Sequence, residues 1–193
     1  MEFAELVKKR RSVRSYTDEP VSDEHLMQIC EAGRWAPSAL NMQPWEFIVV
    51  TDTQVRGKIA DNARAIGVSW PQIRQAPAVI VLCAKKTSEY ARDDCLLAAQ
   101  NMMLQATDLG LGTCYIGGFS PERIRQLLSI PKGYIVPGMI TVGHPEKEPE
   151  PPEKRDLQDV KHRNTFEGRG VGLTGYRRAL ALMWKFITGR GSK

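Results

Sequence analysis

The chain is poor in the residues that most often hold metals or act as nucleophiles. It has four cysteines and three histidines in 193 residues. Cys30, Cys83, Cys95 and Cys114 form no C-x-x-C pair and each sits in apolar sequence, which argues against a disulfide framework or zinc site and for buried free thiols. His25, His144 and His162 are scattered, without H-E-x-x-H spacing, so no metal is expected. No apolar run reaches the roughly 18 residues of a membrane span. The start, Met1-Glu2-Phe3-Ala4-Glu5, is acidic and lacks the apolar core of a signal peptide, so a cytoplasmic protein is expected. A G-x-G-x-x-G fingerprint is absent. Gly112 and Gly117 have P-loop spacing, but Gly118-Phe119 stands where Lys-Ser/Thr is required. No Ser-His-Asp or Cys-His set is evident.

What remains is an ordinary globular composition, 42% hydrophobic and 25% charged, long enough for one domain with a real core. The net charge is +5 and the pI about 9.1. Nucleic acid is one reading of that charge. The positive residues are spread along the chain without an aromatic-interleaved stripe, so a basic pocket for phosphorylated small molecules is favoured.

Periodicity predicts a helix over residues 2–9, with Phe3, Leu6 and Val7 on one face. Ser22 reads as the cap of a helix running to Arg34, stopped by Pro37. Residues 45–50 read as a strand, and Thr53 as the cap of a helix to about Ile66. Residues 78–84 are continuously apolar, a strand covered on both faces. Residues 93–109 form the strongest helix, apolar nearly all round, and in so short a chain part of its cover is expected from a second subunit. Gly110 ends it. A short strand over 113–116, a helix opened by Ser120-Pro121, and a strand over 134–142 follow, with Pro137 marking an edge or a bulge. Residues 145–154 read as a proline-rich extended arm. Helices and strands without strict alternation make the class α+β.

Two clusters carry the chemistry. In Arg10-Arg11-Ser12-Val13-Arg14-Ser15-Tyr16, an extended backbone would put Arg10, Ser12 and Arg14 on one face, a set suited to a phosphate. Taken alone it reads first as a solvated basic loop. In Pro37-Ser38-Ala39-Leu40-Asn41-Met42-Gln43-Pro44-Trp45, prolines fix both ends while Asn41 and Gln43 offer the mixed donors and acceptors that suit the edge of a flat heterocycle. Gly117 and Gly118, between a strand and a helix, allow close backbone approach to a ligand. Lys161 and Arg163 form a late basic pair that matters only if the fold returns it to Arg10 and Arg14.

R-R-S-V-R-S-Y, P-S-A-L-N-M-Q-P-W, L-G-L-G-T-C-Y-I-G-G-F and the late K-x-R together resemble the nitroreductase family of FMN-dependent NAD(P)H oxidoreductases, over residues 5 to 166. The resemblance implies an α+β homodimer, with a mostly antiparallel sheet flanked by helices and two FMN sites at the subunit interface. By matching position it implies that Arg10, Arg11, Ser12 and Arg14 hold the phosphate and pyrimidine side of FMN. Pro37, Ser38, Ala39 and Asn41 would reach the flavin from the other subunit. Gly117 and Gly118 would present backbone N–H to the N5 region, and Lys161 and Arg163 would return to the phosphate. Some relatives carry an acidic residue where Gly117 stands, which leaves a backbone role here. Others place Asn and Lys near Ser69 and Gln72, which makes Gln72 a candidate polar contact.

The reaction implied is a hydride relay from NADH or NADPH through FMN to a nitroaromatic, a quinone or a similar acceptor. No side-chain catalyst is required; Arg14 and the Gly117 and Gly118 amides would support the reduced flavin. Alternatives are another flavin reaction on the same fold (reductive dehalogenation or flavin reduction), or a non-catalytic FMN-binding protein. Trp70 and the segment from Lys86 to Tyr90 are candidates for acceptor contact, with packing an equal reading of Trp70. The domain expected is residues 1–166, followed by a basic amphipathic extension over 167–193. There Tyr176, Leu180, Met183, Trp184 and Ile187 share a helical face, read as packing on the partner subunit rather than on a membrane.

Overall fold

The computed structural model describes residues 1–63, 69–87 and 89–166. It comprises two compact units, Met1–Pro151 and Pro152–Lys193. The first holds α1 (Phe3–Lys9), α2 (Asp23–Arg34), a 3₁₀ turn (Ala39–Asn41), β1 (Trp45–Val50), α3 (Thr53–Asn62), α4 (Pro71–Gln75), β2 (Ala78–Lys85), α5 (Ala91–Asp108), β3 (Gly112–Ile116), α6 (Pro121–Leu127) and β4 (Tyr134–Gly143). The second holds α7 (Leu157–Val160).

The four strands form one antiparallel sheet in the order β1-β2-β4-β3, so β1 and β3 are opposite edges. Alternation sorts the side chains of β2 into two cores. Ala78, Ile80, Leu82 and Ala84 face α2 and α5, while Val79, Val81 and Cys83 face α3, α4 and α6. Helices cover both faces, which explains why an antiparallel strand reads as a continuous apolar run. The α+β class and the antiparallel sheet follow the sequence expectation.

Several boundaries differ from it. The cap of α3 is Asp52, whose carboxylate accepts from Val55 N at 2.8 Å, not Thr53. That helix ends at Asn62, and Ile66 lies outside the described residues. Of the two readings of Pro137, the bulge holds, on an interior strand. The register slips between Leu82 and Ala84, so Pro137 stands in a bulge where its missing N–H breaks no ladder bond. The helix α4 was not expected, because five residues are too few to show periodicity; Pro71 at its first turn was its one local signal.

Among the described residues the cover of α5 is incomplete. The sheet, α2 and α1 bury Cys95, Ala98, Ala99, Met102, Met103 and Ala106, but Leu97 stays 48% exposed. Phe3 of α1 is also exposed, as are Met27 and Trp35 on and just after α2.

Candidate functional site

The Arg10-to-Tyr16 segment is held in place beside β3, at one edge of the sheet. Ser12 bridges Thr113 in parallel, and Val13 N donates to Thr113 O at 2.8 Å. The close approach requires Gly112, where a methyl group would lie 2.7 Å from Val13 Cγ2. Tyr16 anchors the far end. Its buried hydroxyl donates to Val13 O at 2.8 Å and lies 2.7 Å from Thr141 Oγ1, and burial raises its pKa. Sequence reasoning gave Tyr16 no role; its partner Thr141 lies on another strand.

Val13 is buried, Arg10 and Ser12 are half-buried, and Arg14 is exposed. Arg10 and Arg14 both lie close enough to Cys114 to lower its thiol pKa, against a larger upward push from burial. Among the described residues the Arg10 guanidinium has no hydrogen bond or ion pair, and Arg14 donates once, to Ser12 O at 3.2 Å. Arg11 is engaged differently. Its Nη1 donates to the carbonyls of Lys8, Lys9 and Arg10, closing the C-terminus of α1.

Beyond β3 come Gly117 and Gly118, both exposed, with amide N–H groups that no carbonyl of the described residues engages. Trp70, the residue before α4, donates its indole N–H to Gly118 O at 2.8 Å. One turn on, Gln72 is 1% exposed, and its Nε2 has no hydrogen-bond acceptor beyond a weak interaction with the Cys114 thiol. A second residue missed from sequence holds α4 there. The buried Arg56 guanidinium donates to the carbonyls of Thr51, Arg74 and Ala76 and to Thr53 Oγ1.

The second cluster lies at the other edge, leading into β1. Its turn places Leu40, Asn41 and Gln43 at φ of 50°, 55° and 46°, left-handed backbone that Asn tolerates and Leu resists. Ser38 Oγ accepts from Gln43 N at 3.0 Å, and Gln43 Nε2 donates to Asn41 O at 3.3 Å. One side-chain N–H of Gln43 is therefore engaged within the turn. Asp94, buried in the first turn of α5, accepts from Ala39 N at 3.2 Å and ties the loop down. Leu40 is 94% exposed, and Pro37 and Asn41 are exposed with it.

Lys161 and Arg163 are exposed just after α7 in the second unit. Residues 167–193, expected as an amphipathic extension, lie outside the described residues, as does Ser88 of the 86–90 segment.

The thiols are not primed as nucleophiles. Burial pushes Cys83 up to about 11 and Cys95 up to about 12, and raises Cys30 and Cys114. The β3 edge instead gathers hydrogen-bond donors that outnumber their acceptors among the described residues: two guanidiniums, two glycine amides and a buried carboxamide. Such a surface suits an anion joined to a carbonyl-rich ring, and the residues fit FMN on that ground.

The comparisons agree with this chemistry. The Nitroreductase family model matches residues 7–67 and 65–144. An FMN reductase [NAD(P)H] of Bacillus subtilis is 34% identical over 181 residues, covering 81% of this chain and 71% of that protein. An iodotyrosine deiodinase of Thermotoga neapolitana is 26% identical, covering 84% and 97%. The solved structure of an FMN-dependent nitroreductase from Clostridium difficile superposes with a TM-score of 0.76 at 32% identity, covering 83% of this chain and 98% of that one. With its antiparallel sheet, its donor-rich β3 edge and these likenesses, the chain belongs to the nitroreductase family.

Proposed function

We propose that this protein is an FMN-dependent oxidoreductase that takes hydride from NADH or NADPH and delivers it to a small acceptor such as a nitroaromatic or a quinone. The observation that carries the reading is the unmatched donor set along β3: Arg10, Arg14, Gln72, Gly117 and Gly118. Bound there, FMN supplies the ring that accepts and donates hydride.

The chain's own residues bind and orient. Arg10, Arg11 and Ser12 face the phosphate and ribityl side, with the Arg11 side chain also closing α1. Arg14 sets a fixed positive charge beside the pyrimidine edge, where negative charge develops on reduction. Gln72 donates from a buried position, and the Gly117 and Gly118 amides point donors at the N5 region. Pro37, Ser38, Ala39 and Asn41 of a second copy close the other side, in a homodimer with FMN at the interface. Residues 1–166 form the FMN-binding domain; residues 167–193 lie outside the described residues. The protein acts in the cytoplasm; among the described residues no helix is long and apolar enough to cross a membrane.

The test is an anaerobic absorbance spectrum of the purified protein before and after each nicotinamide. A flavin spectrum bleached by NADH or NADPH and restored by a nitroaromatic or quinone is expected. A colourless protein that takes up no FMN, or a flavin that neither nucleotide bleaches, contradicts the reading.

A further inference from the structure

We propose that Trp70 is a positioning residue whose indole fixes the peptide planes at Gly117 and Gly118, an inference that rests on the FMN reading above. Two contacts carry it. The indole N–H donates to Gly118 O at 2.8 Å. The edge of the ring also comes close enough that a methyl group at Gly118 would sit 3.2 Å from its Cζ2. One contact sets the direction of the Gly118 carbonyl, and the other closes off the space above its Cα.

A diglycine needs such a device. Without Cβ atoms the two residues sample more φ/ψ space than any other pair, and each gives up more entropy when ordered. Their amides are useful to an anionic or electron-rich ring only if they already point at it. Among the described residues the Gly117 and Gly118 amides have no carbonyl partner, and both residues are exposed. The loop is bounded below by Tyr115, whose Cε1 would lie 3.1 Å from a methyl at Gly117, and beyond by the buried Phe119. Trp70 supplies the remaining side. Peptide planarity then couples the held Gly118 carbonyl to the planes next to it.

Trp70 is itself well placed to act as a fixed post. It packs partly buried against the core of α3, α4 and α6, directly before Pro71. Through α4 it is backed by Arg56, which holds the carbonyls of Arg74 and Ala76.

The experiment compares FMN with 5-deaza-FMN, in which a carbon replaces N5 and removes that acceptor, in the full-length wild type and in Trp70→Phe, which keeps a ring but loses the N–H. Dissociation constants are measured for both flavins, with thermal melting of each apoprotein alongside. The wild type's preference for FMN over 5-deaza-FMN is expected to shrink about three- to tenfold in Trp70→Phe, the worth of one neutral hydrogen bond acting through the loop. An unchanged preference overturns the proposal, whether both affinities hold or both fall together. Should Trp70→Phe melt well below the wild type, Gly118→Ala, which presses a methyl toward the indole, must shrink the same preference; an unchanged one again overturns it. A wild type that binds FMN, with Trp70→Phe leaving the preference unchanged, defeats only the positioning role. A wild type that binds no FMN defeats the functional reading and this proposal with it.

Discussion

At the scale of single residues, the site depends on side chains that never touch a ligand. Tyr16 is the clearest. Its hydroxyl ties Val13 O to Thr141 Oγ1, and Thr141 in turn reaches Cys114 O at 3.4 Å, so one buried network joins the arginine segment to β3 and β4. Replacing Tyr16 with Phe leaves the Val13 carbonyl and the Thr141 hydroxyl short of partners in a dry setting. The expected loss is about 1–3 kcal/mol of stability, read by thermal melting of the apoprotein, with weaker FMN binding because Arg14 lies two residues away. The residue scale is also where the sequence was hardest to read. Arg10 and Arg14 stand out as cations in any reading. That Arg11 closes a helix, that Gln43 serves its own turn, and that Gln72 is buried with an unmatched donor are facts of three-dimensional surroundings. The bond from Trp70 to Gly118 spans 48 positions and leaves no local pattern.

At the scale of elements, legibility followed length and composition. The strands β1 and β2 were read within a residue or so, since a β-branched and aromatic stretch in one and a continuous apolar run in the other each make a clear signal. The helix α4 was too short to show one. The cap of α3 was misplaced by one residue because Asp52 and Thr53 are both good caps, and only the reach of the Asp52 carboxylate to Val55 N separates them. The element that matters most for function is the pairing of the arginine segment with β3, and it hangs on Gly112. A Gly112→Ala methyl would lie under 3 Å from three carbons of Val13, two of them methyl groups and one the branch carbon beside the backbone. The segment must then move outward as a whole. A stability loss of about 1–3 kcal/mol is expected on thermal melting. FMN affinity should fall roughly tenfold or more on titration, because both guanidiniums shift with the backbone.

At the scale of the whole molecule, the two sequence clusters sit at opposite edges of the sheet, one beside β3 and the other leading into β1. Three inter-strand spacings put them about 14 Å apart across the sheet alone. They do not close on one ligand within a chain, although each looks built for one. A two-fold pairing that brings the β1 edge of one chain to the β3 edge of another resolves this, and it would cover apolar residues such as Leu40 and Leu97 that one chain leaves exposed. The central claim is therefore that each FMN site draws on two copies. It is tested most directly by mixing two defective chains. One carries Arg10→Ala with Arg14→Ala. The other carries Asn41→Asp, which tolerates φ of 55° but sets a negative charge where a flavin edge would lie. Each alone should hold little FMN. Refolded together in equal amounts, half the dimers are mixed and one site in each is intact, so about one quarter of the wild-type FMN content should return, measured by absorbance per chain. No recovery above the two separate proteins would contradict the account, because it would place both halves of the site on one chain.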